Sequence, residues 1–276
     1  MRKTLQKVMS FYLLLFLLPI LTIKLPMLAF GTETVEKVET QPVAYAANVT
    51  KEIPVVEEEA KQEPISVLLY FTHNHEAFHP ILEKTGKKAV NYHPTSNITN
   101  VSKLITQHLE LHGAKVDVLP YDNMKEMQAT NRKFPQAYDA IRPVLQKKLA
   151  EESYDLVLDL HRDALPHKAS SLNYNGESFA RISLVVGTEH PKYKLNETYA
   201  KSVSEEVNRL IPGLSRGVIP KSGDNVDGVY NQDLSPHALL IEVGGQENNE
   251  EEINRTVAVI AKAVYIVFEK TKATQH

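Results

Sequence analysis

The chain has 276 residues, 42% hydrophobic and 24% charged, with a net charge of −3. This composition suits one sizeable globular domain with additional segments, and it offers no basic footprint for nucleic acid. Cysteine is absent; this excludes disulfides, thiolate metal sites and a thiol nucleophile, so any metal must be held by His, Asp or Glu.

Arg2, Lys3 and Lys7 precede the apolar run Phe11 to Ile23, and beyond Lys24 the chain stays apolar to Phe30. About 20 such residues span a bilayer, and basic residues ahead of them keep the N-terminus inside. Residues 1–30 therefore read as a transmembrane anchor, or as a signal segment with a poor cleavage site near Ala29 and Gly31. Either reading exports the remainder, and a retained anchor makes it a single-pass protein of the cell membrane with its folded part outside. Residues 31–63 carry eight Glu against three Lys and few large apolar side chains. They cannot bury enough surface to offset their ordering entropy and read as an acidic flexible linker.

From Pro64 strands and helices alternate. Ile65 to Leu69 is a short β-branched run ending in Tyr70 to Phe78, Tyr-Phe-Thr-His-Asn-His-Glu-Ala-Phe. Asn97 to His112 has an apolar face of Ile98, Val101, Leu104, Ile105 and Leu109, with Gly113 as its stop. Lys115 to Leu119 is a strand. Phe134 to Glu152 is a helix in which Pro143 is expected to introduce a kink or a break. Tyr154 to Leu160, Arg181 to Val186 and Ala238 to Val243 read as strands, the last broken by Gly244-Gly245. Leu195 to Leu210 and Glu250 to Glu269 read as helices. The expected fold is a single three-layer α/β domain over residues 64–276, with a mostly parallel sheet and helices on both faces.

Three strands end in polar residues: His73 and Glu76 after the first, His161-Arg162-Asp163 after the third, and Glu242 on the last. Parallel strands bring such ends to one edge, where open α/β sheets bind ligands. His73 and Glu76 are three apart, so a tight turn aims both at one point. Two His and a carboxylate with an open position form a ligand set of catalytic zinc, and a further carboxylate, Glu242, is a candidate acid/base. His75 and His79 are alternative ligands. Arg162, or a basic residue in the segment Lys168 to Lys221, is a candidate for a substrate carboxylate and Asp163 for orienting His161, with a local salt bridge as the plain reading of Arg162 and Asp163. His-Arg-Asp also occurs in kinases, but no Gly-rich phosphate loop or Asp-Phe-Gly accompanies it. The segments Lys84 to Lys88 and Ser170 to Ser178 are candidates to cover the site.

The segments 70–78, Asp-Leu-His-Arg-Asp-Ala at 159–164 and Leu-Ile-Glu-Val-Gly-Gly at 240–245 resemble the motifs of the stage II sporulation protein P family. Tyr230 to Ser235 and Arg181 to Gly187 fit the same pattern. The resemblance implies a fold similar to the zinc amidases and the broader phosphorylase/hydrolase-like group. It implies a zinc-dependent N-acetylmuramoyl-L-alanine amidase acting on peptidoglycan in engulfment, with endopeptidase action on crosslinks. It further implies His73, Glu76 and His161 as zinc ligands and Glu242 as acid/base; Arg162 and Asn231 are candidate substrate contacts. The implied partners are a lytic transglycosylase, stage II sporulation protein D, and stage II sporulation protein M. A zinc carboxypeptidase on stem peptides and a non-catalytic wall-binding module are the alternatives.

Overall fold

The computed structural model describes residues 64–273. The anchor expected at 1–30 and the linker expected at 31–63 lie outside the described residues. Among the described residues no helix is long and apolar enough to cross a membrane.

A six-stranded sheet forms the middle layer. Its strands are β1 (Ser66–Tyr70), β2 (Lys115–Val118), β3 (Leu156–Asp163), β6 (Ile182–Gly187), β7 (Ser215–Lys221) and β8 (Ala238–Gly245), in the order β2-β1-β3-β8-β6-β7. The pairs β1–β2, β1–β3 and β3–β8 are parallel. β6 pairs antiparallel to β8 and parallel to β7, so the last two strands of the sheet run the other way. A separate hairpin, β4 (Ser171–Tyr174) with β5 (Glu177–Ala180), turns through Asn175 at φ 53 and Gly176 at φ 84. Asn-Gly with both residues at positive φ is the preferred two-residue hairpin turn, and most of the segment Ser170 to Ser178 lies in this hairpin.

Strand alternation sorts the side chains between two faces. On one, Val67, Leu69, Leu158, Leu160, Ile241, Val243, Leu184 and Val186 are buried beneath three helices. These are α2 (Val101–Leu111), α5 (Tyr193–Leu210) and α6 (Glu250–Ala273); the chain also forms α1 (His79–Lys84), α3 (Asn123–Ala129) and α4 (Ala137–Glu151). On the other face Leu68, Tyr70 and Val157 pack against Ile141 and Leu145 of α4. Helices thus cover both faces, as expected. Helix α6 begins at a reciprocal cap: Glu252 N–H donates to Asn249 Oδ1, and Asn249 N–H to Glu252 Oε2, both at 3.0 Å.

Three boundaries differ from expectation. Pro143 does not break the helix; α4 runs through it as one element. Pro143 is exposed, so the backbone acceptor it leaves unpaired can be met by water. β3 continues through His161 to Asp163, and Gly244-Gly245 belong to β8 instead of ending it. Between the register pairs His161–Glu242 and Asp163–Gly245, β8 uses three residues where β3 uses two. That extra residue is a bulge, accommodated by Gly244 at φ 67.

Candidate functional site

His161 and Glu242 are direct register partners on adjacent parallel strands, so their side chains stand on the same face, that of α4. His73 and Glu76 come from the loop after β1. Glu76 N–H donates to His73 C=O at 3.0 Å, closing the tight turn that the spacing called for. Asn123, buried at the start of α3, donates to Thr72 C=O and Ala137 C=O, both at 2.9 Å. Asp122 accepts from Asn74 at 2.7 Å. These contacts tie the loop to the helix layer.

The centre is densely polar. His161 is 2% exposed. Its Nδ1 lies 3.8 Å from Glu76 Oε2, and its Nε2 lies 3.0 Å from Asp159 Oδ2, off the line of a straight hydrogen bond. Asp159 is fixed by Thr72, whose N–H and hydroxyl donate to it at 2.9 and 2.6 Å. Glu76 Oε2 accepts the Arg162 N–H at 2.9 Å. His73 stacks on Phe134 at 4.2 Å and meets Tyr138 edge-on at 5.6 Å and His161 at 5.3 Å.

Charge and burial set the protonation states. Burial, followed by the nearby His161 charge, brings His73 down to about 4. Burial pulls His161 the same way, but Asp159 and Glu76 outweigh it and hold the imidazolium well above its usual range. Burial raises Glu242 to about 8, opposed by His161 and reinforced by Glu76 and Asp163. Glu242 as a residue is half-buried, yet its Oε2 is enclosed without a partner.

The donor chemistry fits a zinc ion. His73 Nδ1 is enclosed and unpartnered. Asp159 at Nε2 leaves His161 Nδ1 facing Glu76, the carboxylate–histidine arrangement that supports zinc ligands. Ligand atoms on one tetrahedral zinc are separated by roughly 3.3 Å, close to the 3.8 Å between His161 and Glu76. The carboxylates that draw a proton onto His161 would equally draw a cation in its place. Among the described residues, no three His, Asp or Glu side chains are gathered tightly enough to hold an ion.

The other candidates sit elsewhere. His75 is occupied by Asp122 at 3.1 Å and His79 by Asn91 at 3.0 Å. The Arg162 guanidinium donates to Asn91 C=O at 2.7 Å and Asp163 C=O at 3.2 Å, clamping the chain beside Tyr92. Asp163 does not orient His161; it pairs with Arg216, and Asp159 takes the place expected for it. Asn231 accepts from Arg142 at 2.9 Å and donates to Tyr138 C=O at 3.0 Å, so both ends of its amide bind the chain. Asp159 had a sequence signal: two residues before His161 on a strand, it must share that face. Tyr138 was legible only as part of its helix's apolar face and Arg216 only as one of several basic residues between 168 and 221; Phe134 carried no signal.

The family model described as stage II sporulation protein P (SpoIIP) matches residues 29–265. The chain belongs to this family. It is 33% identical over 196 residues to stage II sporulation protein P of Bacillus subtilis (strain 168), covering 71% of this chain and 49% of that protein. It thus spans about half the length of this curated relative. Among solved structures it is similar to the CwlD amidase of Clostridioides difficile in complex with the GerS lipoprotein, at 16% identity and a TM-score of 0.49, over 76% of this chain and 99% of that one. A metallo-carboxypeptidase from Burkholderia cenocepacia is similar at 8% identity and a TM-score of 0.46, over 78% of this chain and 59% of that one.

Proposed function

We propose that this chain is a zinc-dependent N-acetylmuramoyl-L-alanine amidase that opens peptidoglycan during sporulation, held on the outer side of the cell membrane by residues 1–30. The observation that carries the reading is the meeting of His161 and Glu242 by strand register beside His73 and Glu76, in a chain of the sporulation family. His73, Glu76 and His161 are the residues that would hold the metal. A zinc ion bound there would lower the pKa of a coordinated water toward about 7 and would polarise a scissile carbonyl.

The chain's own residues supply the rest. His73, kept neutral by burial, offers a lone pair at neutral pH. The Arg162 N–H fixes Glu76, and Asp159 fixes the His161 ring. Glu242, whose carboxyl burial shifts upward in the metal-free chain, takes a proton from the attacking water and returns it to the departing alanine nitrogen. Cleavage of crosslinks in addition, action in engulfment, and work alongside stage II sporulation proteins D and M belong to the same reading.

The test is mass spectrometry of products released from purified sacculi by the zinc-loaded full chain. Intact stem peptides freed from glycan are expected, and a chelator should stop their release. Stems trimmed at their ends would instead establish a carboxypeptidase, and release that ignores the chelator would remove zinc from the mechanism.

A further inference from the structure

The face that carries Asp159, His161 and Glu242 continues past Glu242 onto β6 and β7. Ser183 is the cross-strand partner of Glu242, so its hydroxyl stands on that face. Arg216 reaches over from β7, where Nη2 donates to Ser183 Oγ at 2.9 Å and also to Asp163. The backbone is built for this reach. Between the pairs Ile182–Ser215 and Leu184–Val218, β7 has one residue more than β6, and Gly217 takes φ 97. Such bulges re-aim side chains and gather beside sites.

The fold leaves this guanidinium incompletely used. Nη2 makes both contacts, Nη1 makes no hydrogen bond among the described residues, and Nε is enclosed without an acceptor. An Arg fork ordinarily meets a carboxylate through two parallel donors. At the opposite end of the site, on the β1 side, the exposed rings of Phe134 and Tyr92 lie 5.6 Å apart, with Phe134 stacked on His73. Across the sheet the row runs from an aromatic rim through His73, His161 and Glu242 to Ser183 and a cationic end at Arg216.

We propose that Arg216 is a substrate-binding residue that takes a carboxylate of the stem peptide, so that the peptide lies toward β7 and the sugar toward Tyr92 and Phe134. This rests on the amidase reading. Adjacent strands are about 4.8 Å apart, which seats the guanidinium one strand beyond Glu242. A carboxylate on the residue after the stem alanine lies within about 7 Å of the scissile amide, the length of two extended residues.

The experiment compares soluble muramoyl-L-alanyl-D-glutamic acid γ-amide, whose one free carboxylate is the α-carboxylate, with the corresponding α,γ-diamide, which has none. Zinc-loaded full chain should show a lower KM for the acid. Arg216→Met should raise KM on the acid about tenfold more than on the diamide, the loss expected for one charged hydrogen bond. Arg216→Lys should recover part of that preference. Asp163→Asn combined with Arg216→Met leaves no unpaired charge, and serves if the single variant does not fold. An equal change on both substrates, or none on either, would overturn the proposal in favour of a purely structural ion pair. If the wild-type chain cleaves neither substrate, the amidase reading falls. Calorimetric binding of the same two ligands to the metal-free chain then decides the role of Arg216. Binding that favours the acid in wild type but not in Arg216→Met supports it, and equal binding in both overturns it.

Discussion

His161 and Glu242 show how much one register pair accomplishes. Side by side on parallel strands, they place an imidazole and a carboxylate next to each other without any contribution from a loop. Their roles separate on substitution. Glu242→Gln removes the proton carrier and keeps the shape, so turnover should fall by about 10²–10⁴-fold, the usual contribution of a general acid–base. Zinc measured by elemental analysis should be retained in that variant, whereas His161→Ala should lose it. Asp159 supports from behind. Asp159→Asn should weaken zinc affinity by about 10–100-fold, as loss of a carboxylate behind a ligand histidine does; an unchanged affinity in a chelator competition would remove Asp159 from the support of the centre.

Elements position these residues through irregularities that local pattern does not announce. The bulge at Gly244 sits between Glu242 and the pairing of Gly245 with Asp163. A Cβ at Gly245 would stand 2.1 Å from Leu165 C=O, a backbone atom that cannot rotate away. Gly245→Ala should destabilise the chain by about 1–3 kcal/mol, the range for overpacking, and should depress activity by moving β8. Thermal unfolding of zinc-loaded protein checks the first effect. Helix α4 invites the opposite change. Pro143 is exposed in mid-helix and removes one backbone bond. Pro143→Ala should raise stability by up to about 3 kcal/mol, the propensity difference between the two residues, while leaving the zinc content as it was; no rise in melting temperature would mean that the helix is held by its packing on Leu68 and Val157 alone.

At the scale of the whole molecule, the buried charges make the stability of the metal-free chain depend on pH in two opposing ways. His73 is lowered from 6.5 to about 4, so the unfolded chain takes this proton first and stability is lost as pH falls from 6.5 toward 4. Glu242 is raised from 4.5 to about 8, so the unfolded chain releases its proton first and stability is lost as pH rises from 4.5 toward 8. His161 is raised as well, and its contribution is also lost above pH 6.5. Between pH 4.5 and 6.5 the contributions of His73 and Glu242 oppose one another. In Glu242→Gln, denaturant titrations should therefore show the acid decline already beginning near pH 6.5, with a shallower decline on the alkaline side. Profiles that superimpose for wild type and variant would mean that Glu242 is not held protonated by the fold.

The alternation of β-branched strands with amphipathic helices was legible from residue periodicities alone, because each element's pattern is local. The polar strand ends were legible for the same reason: His73, Glu76, His161 and Glu242 each follow or terminate an apolar run. Tertiary structure decided what those patterns cannot carry. It reversed β6 and β7, continued β3 and β8 through their polar ends, and chose Asp159 instead of Asp163 as the carboxylate beside His161. It also brought Phe134 onto His73 and Arg216 onto the face beside Glu242. These outcomes depend on strand direction, register and single-residue bulges. Such features arise from pairings between segments far apart in the chain, and no window of sequence contains both partners.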